Sequence, residues 1–461
     1  MRKLFLLLAF AAIPLAGQNT DIESLSGLQF NFGNPGARSL GMGGAFIGLA
    51  DDASAAEANP AGLTILRKPE LSLEARNYVE AQLFSTSGTF PNVERTAFTH
   101  YSDRVVVSFA SAVYPLKKRF TLGLYYHEPL NNAGAGRVFP QFNALTGKLE
   151  KKTPNFFLPA AGGAPLSEAE CTALRQQTKN PAACIEFRVD PFVSALDVRQ
   201  RTFGLAGAWQ VLPTLSIGAN VRMQLFREGA FTFRFTQNFD AKNVSVQATA
   251  RTNGSNVQLT QEHDTTFGVG FKWAPFDKFS VGGVYKQGAR FAAPTFFSGS
   301  QTNFEFVKVA DTEFHDPDIA GLGVSYRPIP VLTLNADADY VKYSNLVDHF
   351  TSVVADISSL NHPFEARNVT ELHAGAEYFF AVRVPFALRA GYWRDPAHAI
   401  TWRGPLTRPD YIAEALLYPK TQDQNHWSIG GGFAWPKFQI DFAYDTATYY
   451  KVGSISAVTR F

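Results

Sequence analysis

The sequence predicts an all-β fold: one transmembrane antiparallel β-barrel of about fourteen strands, with an N-terminal plug that contains short helical turns. Three observations predict it. Long stretches alternate apolar and polar residues with a period of two, and the tight turns between them are flanked by aromatic side chains. The chain opens on an export-type segment, and no later window is long and apolar enough to form a transmembrane helix. Between the two lies a glycine- and alanine-rich stretch unlike anything that follows it.

Composition fits a barrel better than a helical membrane protein. The chain of 461 residues carries 41 Phe and 16 Tyr, yet only 18% of it is charged. Its mean hydropathy of −0.09 is natural where about half the strand residues face a polar interior. The net charge of +2 argues against a nucleic-acid partner, which needs a clustered basic face.

In chain order, residues 1–17 place Arg2 and Lys3 before an apolar run and then Pro14 with small residues, the layout of a secretory signal peptide. Its apolar core is shorter than the roughly 20 residues that cross a bilayer as a helix, so an exported chain without any other such stretch must span as a barrel. This addresses the protein to the Gram-negative outer membrane.

Residues 18–66 form the expected plug. Asp51 and Asp52 suit the start of a short helix over residues 53–58. Pro60 disfavours helical geometry at Asn59 and closes that helix. The glycines between residues 36 and 48 allow sharp turns and close backbone approach. On residues alone, this stretch is equally readable as an extension lying on a surface.

Residues 67–461 form the expected barrel. Leu71, Leu73 and Ala75 alternate with Ser72, Glu74 and Arg76. Over residues 331–343, Leu332, Leu334, Ala336, Ala338 and Tyr340 share one face, and Thr333, Asn335, Asp337 and Asp339 the other. Residues 371–380 and Phe438–Thr446 alternate likewise. Tight turns lie within residues 112–120, 209–215, 273–279, 326–332, 380–386 and 435–438, and they read as periplasmic turns bordered by an aromatic girdle. Longer polar stretches at 129–197, 228–262, 291–316, 345–368 and 395–424 read as extracellular loops. They carry apolar clusters at 155–158, 291–297 and 412–418, a sign of binding or of loops packing on each other. Cys171 and Cys184 lie in the first of these loops; an exported protein meets oxidising chemistry, so they are the candidate disulfide. The terminal Phe461 resembles the last-strand signal for outer-membrane assembly in part, since Thr459 and Ala457 share its face in place of strong apolar residues.

The chain lacks the motifs of an enzyme. Gly41-Met42-Gly43-Gly44 has Phe46 where a dinucleotide-binding loop needs glycine, and no strand–helix–strand unit follows. No nucleophile elbow, phosphate loop or zinc-protease motif appears, and nine histidines are scattered without metal-ligand spacing. No cofactor or metal is expected.

Residues 36–63, GARSLGMGGAFIGLADDASAAEANPAGL, resemble the N-terminal hatch of the FadL/TodX family of outer-membrane fatty-acid and hydrocarbon transporters, with Asn59-Pro60-Ala61 matching the family's Asn-Pro-Ala motif. The resemblance resumes in the C-terminal strands. It implies passive uptake of long-chain fatty acids or similar apolar compounds, captured among the extracellular loops, passed to a lumen pocket beside the plug and released sideways into the membrane. The candidate ligand-binding or gating residues are Asn59, Pro60, Ala61 and Phe46 in the plug, with Arg222, Lys342 and Arg389 as inward-facing strand cations for a carboxylate. The alternative reading is a plugged barrel that transports nothing and serves as a scaffold for a surface protein or secretion system.

Overall fold

The computed structural model describes residues 33–85, 97–117, 119–138, 142–143, 148–149, 155–159, 166–188, 192–234, 238–240, 243–245, 260–297, 307–348, 357–406, 411, 423–448 and 450–461. The expected signal segment, residues 18–32 and the apolar cluster 412–418 lie outside them.

Fourteen antiparallel strands close one barrel. In chain order they are β1 (Glu70–Ser85), β2 (Ala97–Lys117), β3 (Phe120–Val138), β4 (Phe192–Leu212), β5 (Leu215–Arg234), β6 (Thr260–Phe276), β7 (Phe279–Lys286), β8 (Ile319–Ile329), β9 (Leu332–Val341), β10 (Val369–Phe380), β11 (Phe386–Asp395), β12 (Gln424–Ala434), β13 (Phe438–Thr446) and β14 (Tyr450–Arg460). Each pairs with its sequence neighbours, and β14 returns to β1 from Glu70↔Arg460 to Glu80↔Tyr450, which leaves no free edge. Among the described residues no helix is long and apolar enough to cross a membrane.

The two faces are inverted relative to a water-soluble sheet. Leu71 and Leu73 are 45% and 53% exposed, whereas Glu70, Ser72, Glu74 and Arg76 between them are buried. The same alternation runs along β8 and β9. Apolar groups face outward where lipid receives them, and polar groups face a lumen where partners satisfy them. Trp209, Trp273, Tyr326 and Trp435 stand exposed beside the tight turns, as an interfacial aromatic belt requires. All six expected turns are barrel hairpins.

Three expectations are corrected. The plug helix covers only Ala55–Ala58. Asp52 accepts Ser54 N at 2.9 Å and so holds the turn before the helix instead of its first residues. Pro60 ends that helix but also begins another, a 3-10 turn over Pro60–Ile65. Strand β9 stops at Val341, two residues short of the alternating pattern, and Tyr343–Val347 forms a 3-10 turn.

Above the membrane-facing wall, the loops hold structure of their own. A ribbon pairs Arg290–Phe297 with Val307–His315. Another pairs Asn155–Pro159 with Cys184–Arg188 and carries the helix Glu168–Thr178, started by a capping box between Ser167 and Glu170. Cys171 and Cys184 are joined in a disulfide, their Cα atoms 5.7 Å apart. An apolar cluster spans the lumen's extracellular end, where Phe226 stacks on Phe291 and Phe314 with ring centres 5.0 Å apart in each case.

Candidate functional site

The plug lies against the inside of the wall, and glycines let it approach. Gly218, Gly270, Gly282, Gly323, Gly375 and Gly391 sit on β5, β6, β7, β8, β10 and β11, each against plug backbone or the Asn59 amide. A Cβ at Gly282 would fall 2.2 Å from Ile47 O, and one at Gly391 would fall 2.1 Å from Gly43 N. No side chain fits at such distances, so the wall and plug backbones touch. The signal was present in the sequence as a glycine in nearly every mid-strand (SIGAN, GVGFKW, VGGVY, GLGVS, AGAEY, AGYWR), but only the pairing shows that these glycines form one belt.

Polar side chains then tie the plug's backbone to the wall. Asn59 is fully buried and donates from Nδ2 to Ile47 O at 3.1 Å and to Phe271 O at 3.0 Å. Its Oδ1 accepts Ala61 N at 3.2 Å, which caps the turn that Pro60 starts. Asp337 Oδ2 accepts both Phe46 N and Ile47 N, at 2.5 and 2.7 Å. Lys272 donates to Gly48 O at 2.9 Å and to Leu49 O, and Ser280 donates to Gly48 O at 2.8 Å. Asn220 donates to Ala56 O at 3.1 Å and Ser111 to Ala53 O at 3.0 Å. Glu74 accepts Gly36 N at 2.9 Å.

An ionic cluster holds the plug beside the periplasmic turns. Arg38 pairs with Glu377 at 2.8 Å and with Asp51, and Arg327 reaches Asp51 at 3.1 Å. Glu377 is shared with Arg389 at 2.6 Å, and Arg389 also meets Asp441 at 2.8 Å. Burial opposes the Arg38 charge, but Asp51 and Glu377 outweigh it and raise its pKa above the ordinary value. Burial pushes the neighbouring Asp52 carboxyl up. At the other end of the plug, burial alone would raise Glu57. Lys286 at 3.1 Å and Arg222 at 3.9 Å reverse that and bring it down to about 2.

Asn59, Pro60 and Ala61 thus sit at the plug–wall contact. Phe46 is buried in an apolar cluster that the plug shares with Phe109, Val113 and Tyr125 of the wall, and its backbone N–H donates to Asp337. Arg389 faces inward but is neutralised by Glu377 and Asp441, so it offers no vacancy for a ligand carboxylate. Arg222 faces inward beside Glu57. Lys342 does not face inward: it shares the parity of Leu334 and Tyr340 on the outward face of the pattern, and its side chain is exposed. Sequence reasoning missed Arg38, Glu57, Lys272, Lys286, Asp337 and Glu377, because a charge alternating into a lumen reads the same whether or not a plug residue awaits it.

The wall has a seam between β2 and β3. Pairing runs from Lys117↔Phe120 up to Phe109↔His127 and resumes only at Tyr101↔Ala135. Two irregularities frame it. Ser108 is skipped where β2 pairs β1, with Glu74 opposite Phe109 and Ala75 opposite Val107. Glu128 and Pro129 are skipped where β3 pairs β4, between His127 and Leu130. Bulges bend strands and end pairing, and Pro129 has no N–H to give. Arg104 donates to Asn131 across the seam at 2.5 Å. Outside it, Val105 and Val107 are exposed; inside, Leu130 belongs to the apolar cluster of Phe226, Phe291 and Phe314.

A closed barrel with an apolar outer surface and a plug bonded to its inner wall defines a membrane barrel of the plugged class. Residues 189–457 match the family model described as outer membrane protein transport protein (OMPP1/FadL/TodX), and the chain belongs to that family. It is similar in structure to a Pseudomonas aeruginosa FadL homologue, with TM-score 0.54 and 14% identity over 94% of this chain and 100% of that one. It is also similar to the Pseudomonas putida toluene transporter TodX, with TM-score 0.54 and 13% identity over 94% and 99%. The Ralstonia pickettii toluene transporter TbuX gives TM-score 0.51 and 14% identity over 94% and 100%. At these identities the likeness is one of fold. No curated protein matches the chain.

Proposed function

We propose that the protein is an outer-membrane channel for passive uptake of long-chain fatty acids or similar hydrophobic compounds, gated by its plug, with release sideways through the seam between β2 and β3. One observation carries this reading. The apolar cluster at the extracellular end of the lumen includes Leu130, which stands at that seam, while the axial route below it is filled by a plug bonded to the wall. A hydrophobe that collects in the cluster meets apolar surface as far as Leu130 and exposed Val105 and Val107 beyond it. It reaches lipid without crossing the polar layer below, so it never re-enters water, which is the favourable course for an apolar solute. Two of the proteins similar in fold are toluene transporters, which fits a hydrophobic cargo.

The test is uptake of a labelled long-chain fatty acid by cells that lack their own transporter. Cells expressing this protein take up the label, and Leu130→Gln, which puts an amide in the apolar route, lowers the rate at matched surface level and matched heat-modifiable migration. Uptake no better than that of empty cells, with a correctly assembled barrel, overturns the reading. Equal rates for wild type and Leu130→Gln overturn the lateral route.

A further inference from the structure

Arginines crowd the outer face of the wall where it nears the loops. On β4 the outward residues run from Trp209 through Leu205 and Phe203 to Arg201 and Arg199. On β5 they run from Ile217 through Val221 and Met223 to Arg227. Arg199 stands directly opposite Arg227, and Arg201 opposite Leu225. Trp209 marks the periplasmic interface, and Arg201 and Arg199 lie eight and ten residues along the strand from it. At about 3.3 Å per residue and a tilt of about 40°, they stand about 20–25 Å above it. The apolar band of such a barrel is about 25 Å tall, so the arginines sit at its extracellular edge. Like charges directly opposite each other on a sheet are unfavourable by themselves. The bulge in β3 brings Glu128 to Arg201 at 3.5 Å, where it also accepts from the Tyr126 hydroxyl and from Asn131. The β4 alternation continues to Asp197, so on β3 to β5 the sequence sets two acids against three arginines. Arg201 keeps 40% of its side chain exposed. Arg199 and Arg227 interact within the protein as well, and what the patch offers outward is its sign and its height.

Directly below the arginines lies a groove. One row of cross-strand partners runs Met223, Phe203, Tyr126, Ala110, Leu73, Ala457 from β5 to β14, and a parallel row two residues lower runs from Val221 to Thr459. Alanines at 110, 112 and 457 among larger neighbours hollow this surface into a groove of about 1050 Å³. Five steps between strands of about 4.8 Å make it about 24 Å long. It begins eight residues from the strand end at Met223 and finishes three from it at Ala457. With the same rise and tilt that is a descent of about 13 Å, close to the apolar depth of one leaflet, about 15 Å.

We propose that this face of the wall docks one phosphorylated lipid of the outer leaflet, with its phosphate on Arg199, Arg201 and Arg227 and one acyl chain in the groove from Phe203 down to Ala457. Charge and height choose the occupant. A guanidinium fork matches a phosphate in shape and sign, and a phosphate held at the leaflet surface meets the arginines at their own level. A zwitterionic head brings its own ammonium against them. A second copy of the chain, joined by a two-fold axis along the membrane normal, would set arginine against arginine. The site lies outside the barrel and does not depend on the cargo. Its chain crosses β2 and β3 at Ala110↔Tyr126, one pair below the last pair before the seam, Phe109↔His127, so a docked lipid braces the closed part of that hairpin.

The test is native mass spectrometry of the purified barrel in a non-ionic detergent, titrated with bisphosphorylated lipid A, with the same lipid after phosphatase treatment, and with phosphatidylethanolamine. Wild type should retain one lipid A per barrel and hold the other two at least tenfold more weakly. Arg199→Gln, Arg201→Gln and Arg227→Gln should each weaken lipid A by roughly tenfold, the scale of one charge-assisted bond to phosphate, and leave the phosphatase-treated lipid unchanged. Ala110→Phe, which fills the groove, should weaken both forms. Equal retention of the two forms by wild type, or arginine variants that bind lipid A as wild type does, overturns the site. Inorganic phosphate in excess should not displace the lipid; if it does, the patch is a plain anion site and the groove has no part in it. A barrel dimer that Ala110→Phe abolishes would give the face to a second copy instead. Should an arginine variant fail to assemble, the two forms of lipid A on wild type decide.

Discussion

Replacing Asn59 by alanine is the sharpest test of the plug's attachment. The side chain is fully buried and makes three hydrogen bonds, two as donor to Ile47 O and Phe271 O and one as acceptor from Ala61 N. Its removal leaves two carbonyls and one amide without these partners, in a space from which bulk water is excluded. Each stranded group costs about 1–3 kcal/mol. Taking the low end for all three, because water can enter the space vacated by the amide, the docked plug loses about 3 kcal/mol. At 1.4 kcal/mol per tenfold, the undocked population rises roughly a hundredfold. The assay is paired: mean conductance per inserted barrel in planar bilayers, averaged over open and closed times, and the rate of trypsin cleavage at the buried Arg38. Both should rise by about two orders of magnitude, with the barrel's heat-modifiable migration unchanged. Asn59→Asp separates the roles. A carboxylate still accepts from Ala61 N but cannot donate to either carbonyl, so it should fall nearly as far as alanine. Conductance and cleavage within twofold of wild type for both variants would refute the claim that Asn59 latches the plug.

Two substitutions test the glycine contacts, and a third tests the base of the extracellular ribbon. Gly282→Val places a Cβ 2.2 Å from Ile47 O, so it should displace the plug and lower thermal stability by about 1–3 kcal/mol. Gly453→Ala on β14, where a Cβ meets nothing within 4 Å, should leave the melting temperature unchanged. Asp316, at the base of the extracellular ribbon, has its carboxyl pushed by burial from 3.8 up to about 7, against the Gln200 hydrogen bond and nearby Arg222 and with help from Asp264. Its native form binds its proton more tightly than the unfolded chain does. Its contribution is therefore full below about pH 4, declines as pH rises from there to about 7, and is flat above that. Hydrogen exchange in residues 307–315 should quicken over that window, and Asp316→Asn should abolish the slope.

The sequence by itself determined the barrel. Alternation with a period of two is local, and a bilayer enforces it on every spanning strand. Tight turns with proline and aromatic neighbours mark where one strand must end and the next begin. That is why the hairpins from 112–120 to 435–438 were legible, and why the Gly/Ala stretch with Asn59-Pro60-Ala61 stood apart. Face assignment from alternation needs only the count of positions: Lys342 shares the parity of Leu334 and Tyr340, so the pattern itself aims it outward, where it is exposed. The tertiary structure alone decided what each inward charge meets. Arg389 is closed off by Glu377 and Asp441, whereas Arg222 and Lys286 meet Glu57 from far away in the chain. The glycine belt and the β2–β3 seam are likewise properties of several strands at one height, not of any one of them. Ala37 N donates to Ser456 Oγ across 419 positions of sequence, and no local period carries information over that span. Local sterics and lipid write the strands; the lumen's partners are chosen only when the wall closes around the plug.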